Sequence, residues 1–183
     1  GIYEVGMGLT VNEFLGMCGG TGAAAVQIGG PSGQMIGPAE FGRTICFDDL
    51  PTGGAIVVFN QDRNLLEIVS QYLDFFIEES CGYCTPCRCG NLKMKKYIDR
   101  IIDGKATKDD VKELKNLARV VKMTSRCGLG QTSPNPVLVT MKNFPFAYNA
   151  TLKSSDDGSQ LTFDLSKAVD SAERIAGRKS THV

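Results

Sequence analysis

The chain has 183 residues with 20 basic and 20 acidic side chains, so its formal charge is zero and it carries no electrostatic footprint for nucleic acid or an anionic membrane. At 42% hydrophobic it can bury a core, yet no stretch approaches the length of a transmembrane helix. Its one histidine, His182, rules out multi-histidine zinc sites and a histidine-based hydrolytic triad within this chain.

The chain opens on Gly1-Ile2-Tyr3-Glu4-Val5 with neither an initiator Met nor a signal-peptide pattern, which reads as an internal piece of a longer chain. Ile2–Val5 predicts a short strand. Thr10 and Glu13 form a capping box for a helix over Val11–Met17. Ala23–Ile28 predicts a strand stopped by Gly29-Gly30-Pro31-Ser32-Gly33. That glycine turn is a weak phosphate site, because Pro31 removes a donor and no lysine follows. Ala55–Phe59, β-branched and short, reads as the clearest buried strand. Residues 1–60 are therefore a small mixed α+β unit.

From Asn64 the pattern turns helical. Leu65, Ile68, Val69, Tyr72, Leu73 and Phe76 recur at helical steps in a run reaching Glu79. A second helix is predicted over Leu92–Ile102, with Leu92, Ile98, Ile101 and Ile102 inward. Thr107 and Asp110 box a third, lined by Val111, Leu114, Leu117, Ala118 and Val121. Pro136 opens a last one over Val137–Tyr148, with a weak break at Pro145. Residues 61–150 thus predict a four-helix bundle with short loops. The extension 151–183 predicts a linker, a short strand over Gln160–Asp164 and a modest helix over Ser166–Gly177 that packs on the bundle or on a partner. His182 is expected to be a terminal residue without a ligand role.

Seven cysteines remain: Cys18, Cys46, Cys81, Cys84, Cys87, Cys89 and Cys127. The odd count, with four inside Cys81–Cys89, argues against a secreted disulfide scaffold and for a reducing compartment. Cys81-x2-Cys84-x2-Cys87 places three thiolates at short steps around a tight loop, as a chain holding three irons of a [4Fe–4S] cluster requires. A short loop cannot reach around the whole cube, so a fourth ligand must come from elsewhere. Cys127, in Arg126-Cys127-Gly128, returns after two predicted helices to supply it. A zinc site and plain structural thiols are the alternatives; structural zinc usually pairs two separated Cys-x2-Cys knuckles. Cys89 could compete with Cys87 as a ligand or sit buried nearby. Cys18 and Cys46 read as core thiols. Arg88 and Arg126 flank the ligands, and one of them near the cluster would raise its potential.

The run Glu79-Ser80-Cys81-Gly82-Tyr83-Cys84-Thr85-Pro86-Cys87-Arg88, followed by Cys127-Gly128-Leu129-Gly130, resembles the flavin-bearing, NADH-oxidising subunit shared by respiratory complex I, soluble NAD(P)-linked hydrogenases and formate dehydrogenases. Val26–Gly33 and Gly53–Val58 resemble it too. Cys127–Pro136 is most similar to the diaphorase subunit of soluble NAD-reducing [NiFe]-hydrogenase. The resemblance covers about residues 1–150. It implies an α+β fold, with a soluble-ligand-binding, ubiquitin-like β-grasp domain at 1–60 and a four-helix [4Fe–4S] domain at 61–150. It implies Cys81, Cys84, Cys87 and Cys127 as ligands. It also implies FMN and NAD bound by an upstream part of the parent protein, and a cytoplasmic oxidoreductase complex containing a second iron–sulfur diaphorase subunit and hydrogenase subunits. The family's flavin-binding glycine motif is missing here, so this piece alone is expected neither to bind FMN nor to oxidise NADH. Cys89 stands where the family usually has a non-thiol residue.

Overall fold

A computed structural model describes residues 1–150, 152–153, 169 and 173–179. An open, three-stranded antiparallel sheet leads into a multi-helix region. The first helix, α1 (Val11–Cys18), is capped as its sequence requires. Thr10 accepts from the Glu13 amide while the Glu13 carboxylate accepts from the Thr10 amide, and Gly19 ends the helix at φ 72°. Three strands follow: β1 (Ala25–Ile28), β2 (Gln34–Ile36) and β3 (Ile56–Phe59), in the order β2-β1-β3. Val26 pairs with Ile36 on one side and Val58 on the other. The central strand β1 is buried along its whole length.

Two expectations fail here. Ile2–Val5 forms no strand; it is exposed, and no strand pairs with it among the described residues. β3 is not buried but an edge strand with Val57 and Val58 partly exposed, because among the described residues it pairs only with β1. A third strand, β2, lies in the segment read as a turn and its aftermath. Gly29 and Gly30, at φ 85° and 66°, reverse the chain and let Gln34–Ile36 return along β1.

The helical region starts at α2 (Leu65–Glu78), where the Asn64 side chain accepts from the Leu66 amide. Next come α3 (Thr85–Ile102), α4 (Lys108–Thr124), α5 (Gly128–Thr132), α6 (Asn135–Asn143) and α7 (Pro145–Asn149). The Thr107–Asp110 capping box of α4 forms as expected. The predicted last helix is split, with Phe144 between its halves and Pro145 opening α7. α3 begins seven residues before Leu92, and its inner face is formed by Cys87, Gly90, Asn91, Met94, Ile98 and Ile101 at helical spacing, which leaves Leu92 facing out.

One core joins Val69, Leu73, Met94, Ile98, Leu114, Val121, Val137 and Tyr148 across α2, α3, α4, α6 and α7. A second lies between α1 and the sheet around Val11, Leu15, Val26, Ile36 and Leu50. A third, built on Ala25, Met35 and Phe144, joins sheet to helices. Asn143 reinforces it by donating to the Met35 carbonyl at 2.8 Å. No helix among the described residues is long and apolar enough to cross a membrane. Beyond α7, Lys153 donates its amide to the Ala106 carbonyl, while Ile175, in the helical stretch 173–176, is exposed. The strand expected over Gln160–Asp164 and His182 lie outside the described residues.

Candidate iron–sulfur site

The cysteine loop is folded by its own short-range bonds. α2 ends at Glu78, and Ser80 Oγ accepts from the Gly82 amide at 3.2 Å. Gly82 takes φ 73°, which a residue with a Cβ rarely adopts, and turns the chain between Cys81 and Cys84. Arg88 Nη1 donates to the Gly82 carbonyl at 2.8 Å, tying the loop to the first turn of α3. Cys84 is the N-cap of α3 and Pro86 lies in its first turn. Cys127 is in turn the N-cap of α5.

These elements bring the four predicted cysteines together. Cys81, Cys84, Cys87 and Cys127 line one pocket of about 110 Å³, completed by Glu79, Ser80, Tyr83 and Leu129. Cys87 is buried, Cys84 half-buried, and Cys81 and Cys127 exposed at the rim. All are free thiols. The backbone amides of Arg126 and Cys87 hold the Cys84 thiol below its ordinary value, against the opposing effect of its desolvation. The start of a helix is a place where a thiolate is favoured. Among the described residues, no three Cys, His, Asp or Glu side chains converge where a single metal ion could sit.

Tighter packing lies behind the pocket. A Cβ on Gly130 would lie 2.7 Å from Ser125 Oγ and 3.1 Å from Cys87 Cβ, so only glycine lets α5 come this close to α3. Ser125 Oγ is buried without a hydrogen-bond partner. Ser80 Oγ lies 3.3 Å from Cys87 Sγ, and Asn91 Nδ2 donates to the same sulfur at 3.5 Å. Arg126 lies over the Tyr83 ring, 4.9 Å from its centroid.

The other cysteines stay apart. Cys89 is exposed on α3 and does not line the pocket, so it is not the buried neighbour that sequence allowed. Cys18 and Cys46 are only half-buried; Cys18 packs against the core of α1 and the sheet. Sequence reading missed Ser80, Asn91, Ser125 and Ser133. One signal was available: Asn91 stands four residues after Cys87, one helical turn away on the same face. It went unread because the helix was begun at Leu92.

Residues 67–151 match the family described as the NADH-ubiquinone oxidoreductase-F iron-sulfur binding region. The chain is 44% identical over 175 residues to the NAD-reducing hydrogenase HoxS subunit alpha of Cupriavidus necator, a match covering 95% of this chain and 29% of that protein. It is 38% identical over 161 residues to the NADP-reducing hydrogenase subunit HndC of Solidesulfovibrio fructosivorans, covering 82% and 33%. The crystal structure of an NAD+-reducing [NiFe]-hydrogenase in the H2-reduced state superposes with a TM-score of 0.78 at 32% identity, over 98% of this chain and 31% of the other. The chain is homologous to the C-terminal region of hydrogenase diaphorase subunits. It contains the 4Fe–4S-type binding region of that family, and it spans about a third of the length of these relatives.

Proposed function

We propose that this diaphorase homologue is an electron relay holding one [4Fe–4S] cluster through Cys81, Cys84, Cys87 and Cys127. The observation that carries the reading is the shared pocket: four free thiols from two distant segments face one small space. The donor set fits. Sulfur ligands with nearby amide and hydroxyl donors suit a cubane. Each ligand of a cubane holds a different iron, so four thiols ringing a pocket without converging on one point suit it better than they suit zinc.

A bound cluster supplies one-electron transfer. The chain's own residues do the rest. The amides of Arg126 and Cys87 stabilise the anionic form of Cys84. Ser80 and Asn91 face Cys87. Leu129 and Tyr83 form part of the pocket's wall, and Arg126 lies over the Tyr83 ring.

On this reading the relay runs between FMN, held by another part of the parent protein, and further iron–sulfur clusters. The whole is a cytoplasmic NAD(P)H/NAD(P)+ oxidoreductase of the NAD-reducing hydrogenase type. Its partners are the flavin- and NAD-binding part, a second iron–sulfur diaphorase subunit and hydrogenase subunits; formate dehydrogenase and the complex I flavoprotein are the neighbouring alternatives. The chain alone would be inactive with NADH. The division into a β-grasp-like unit at 1–60, a cluster domain at 61–150 whose four longer helices are α2, α3, α4 and α6, and an extension at 151–183 belongs to the same proposal. The cores around Val26 and around Leu114 support it, with the cluster of Ala25, Met35 and Phe144 as the contact between the two units.

The test is low-temperature EPR of the anaerobically purified chain after dithionite reduction, with iron and zinc analysis. A reducible cubane signal with about four irons per chain supports the relay. A colourless protein with one zinc sinks it and leaves a metal-stapled interaction module.

A further inference from the structure

We propose that Asn91 is a positioning residue that raises the reduction potential of the iron–sulfur site through Cys87, and that Ser133 orients it. The inference rests on the reading of Cys87 as a ligand.

Asn91 is fully buried on α3, on a face otherwise made of Met94, Ile98 and Ile101. A buried carboxamide costs desolvation unless both of its ends are bonded. Both are. Nδ2 donates to Cys87 Sγ at 3.5 Å, and Oδ1 accepts from Ser133 Oγ at 2.7 Å. Ser133 is also fully buried, at the end of the short helix begun by Cys127, and its hydroxyl lies 3.0 Å from the Gly130 carbonyl.

The orientation of the amide follows from its neighbours. A thiolate sulfur has no proton and can only accept. Reversing the amide would point Oδ1 at that sulfur, two acceptors facing each other in a dry site. As placed, one hydroxyl proton from Ser133 and one amide proton from Asn91 run in sequence toward Cys87. Ser80 adds a second donor: its oxygen already accepts from the Gly82 amide, which leaves its proton for the sulfur 3.3 Å away.

Donors to a ligand sulfur favour the more negative, reduced state and so raise the potential. The Asn91 bond is enclosed on all sides, where a hydrogen bond is stronger than at the rim. The same residue ties the two ligand segments together, since Cys87 and Cys127 sit on the helices that Asn91 and Ser133 link.

The experiment is an EPR-monitored redox titration of the anaerobically purified full chain and its Asn91→Leu and Ser133→Ala variants, with iron counted in each. We expect full iron content, with the Asn91→Leu midpoint lowered by about tenfold in the reduction equilibrium, about 59 mV for one electron. Ser133→Ala should move it the same way by less. An unmoved potential in iron-replete Asn91→Leu overturns the proposal. If Asn91→Leu loses iron, an unmoved potential in Ser133→Ala overturns it, and loss of iron from both makes the pair purely structural and overturns the tuning role. A wild-type chain that holds no reducible cubane fails the relay reading itself, a different result from an unmoved potential.

Discussion

Gly90 on α3 packs so close beneath Val121 on α4 that a Cβ added there would stand 2.3 Å from Val121 Cγ2. This contact lies one turn behind Cys87. It sets the spacing of the two helices at the end where the cysteines gather.

Gly90→Ala therefore sets two effects against each other. Alanine favours a helix interior by about 1 kcal/mol over glycine. Overpacking against a β-branched side chain with one stiff rotamer costs about 1–3 kcal/mol. We expect the clash to win, with net destabilisation of up to about 2 kcal/mol in urea unfolding. A stabilised variant would show that α3 and α4 part easily.

The ligand assignment makes an asymmetric forecast. Cys84→Ala should lose the cluster and loosen the helices, since metal binding is coupled to folding. Cys127→Ser should also lose iron. Cys89→Ser should keep its full complement, because Cys89 is exposed and outside the pocket. Iron retained in Cys84→Ala, or lost in Cys89→Ser, would reverse the assignment.

Leu114 is fully buried in the helical core. Leu114→Ala should cost about 2–5 kcal/mol through lost transfer energy and the cavity left behind. A change below ~0.5 kcal/mol is what a surface position gives and would contradict this packing.

Arg126 separates backbone from side chain at one position. Its amide, which holds Cys84 toward the thiolate, survives Arg126→Gln, whereas the guanidinium over Tyr83 is lost. If the positive charge favours the reduced site, Arg126→Gln should lower the midpoint by less than about tenfold in the equilibrium, about 59 mV. No shift would confine Arg126 to its amide and its ring contact.

Acid should act first on the sheet unit. The Arg43 guanidinium, bonded at 2.6 Å, holds the Asp49 carboxyl below its ordinary value, helped by the Thr44 amide. The Thr10 cap lowers Glu13. Groups depressed on folding add stability that is present above their unfolded values, about pH 4, and is lost as pH falls through the folded ones. Stability should hold from neutral pH to about pH 4.5 and decline below it. Asp49→Asn should flatten that decline. An identical acid profile in the variant would remove Asp49 from the account.

The helices were largely legible because their signals are local. The Thr10–Glu13 and Thr107–Asp110 boxes and the Asn64 cap each sit where the structure puts them. That Cys81, Cys84, Cys87 and Cys127 share one pocket was legible because the spacing of the first three has few uses. Part of what failed depended on neighbours far along the chain. Val57 and Val58 have a core strand's composition, but only pairing decides that β3 lies at an edge. Leu92 has the apolarity of an inner residue, but its place in the helical repeat lies off the face of Met94, Ile98 and Ile101, and Asn91 occupies that face instead. Ser125 and Ser133 carry no sequence signal, since their roles exist only once α5 lies against α3.

The glycine turn after β1 has a practical consequence. Ser32 accepts from Asn135 through its carbonyl at 2.7 Å and from Thr132 through its hydroxyl at 3.3 Å. Both partners belong to the stretch that begins at Cys127. A reporter dye or an affinity tag grafted at residues 31–33 would tug on the cysteine end of the molecule, so an engineer seeking a silent attachment point should choose the exposed bend at Gly53 instead.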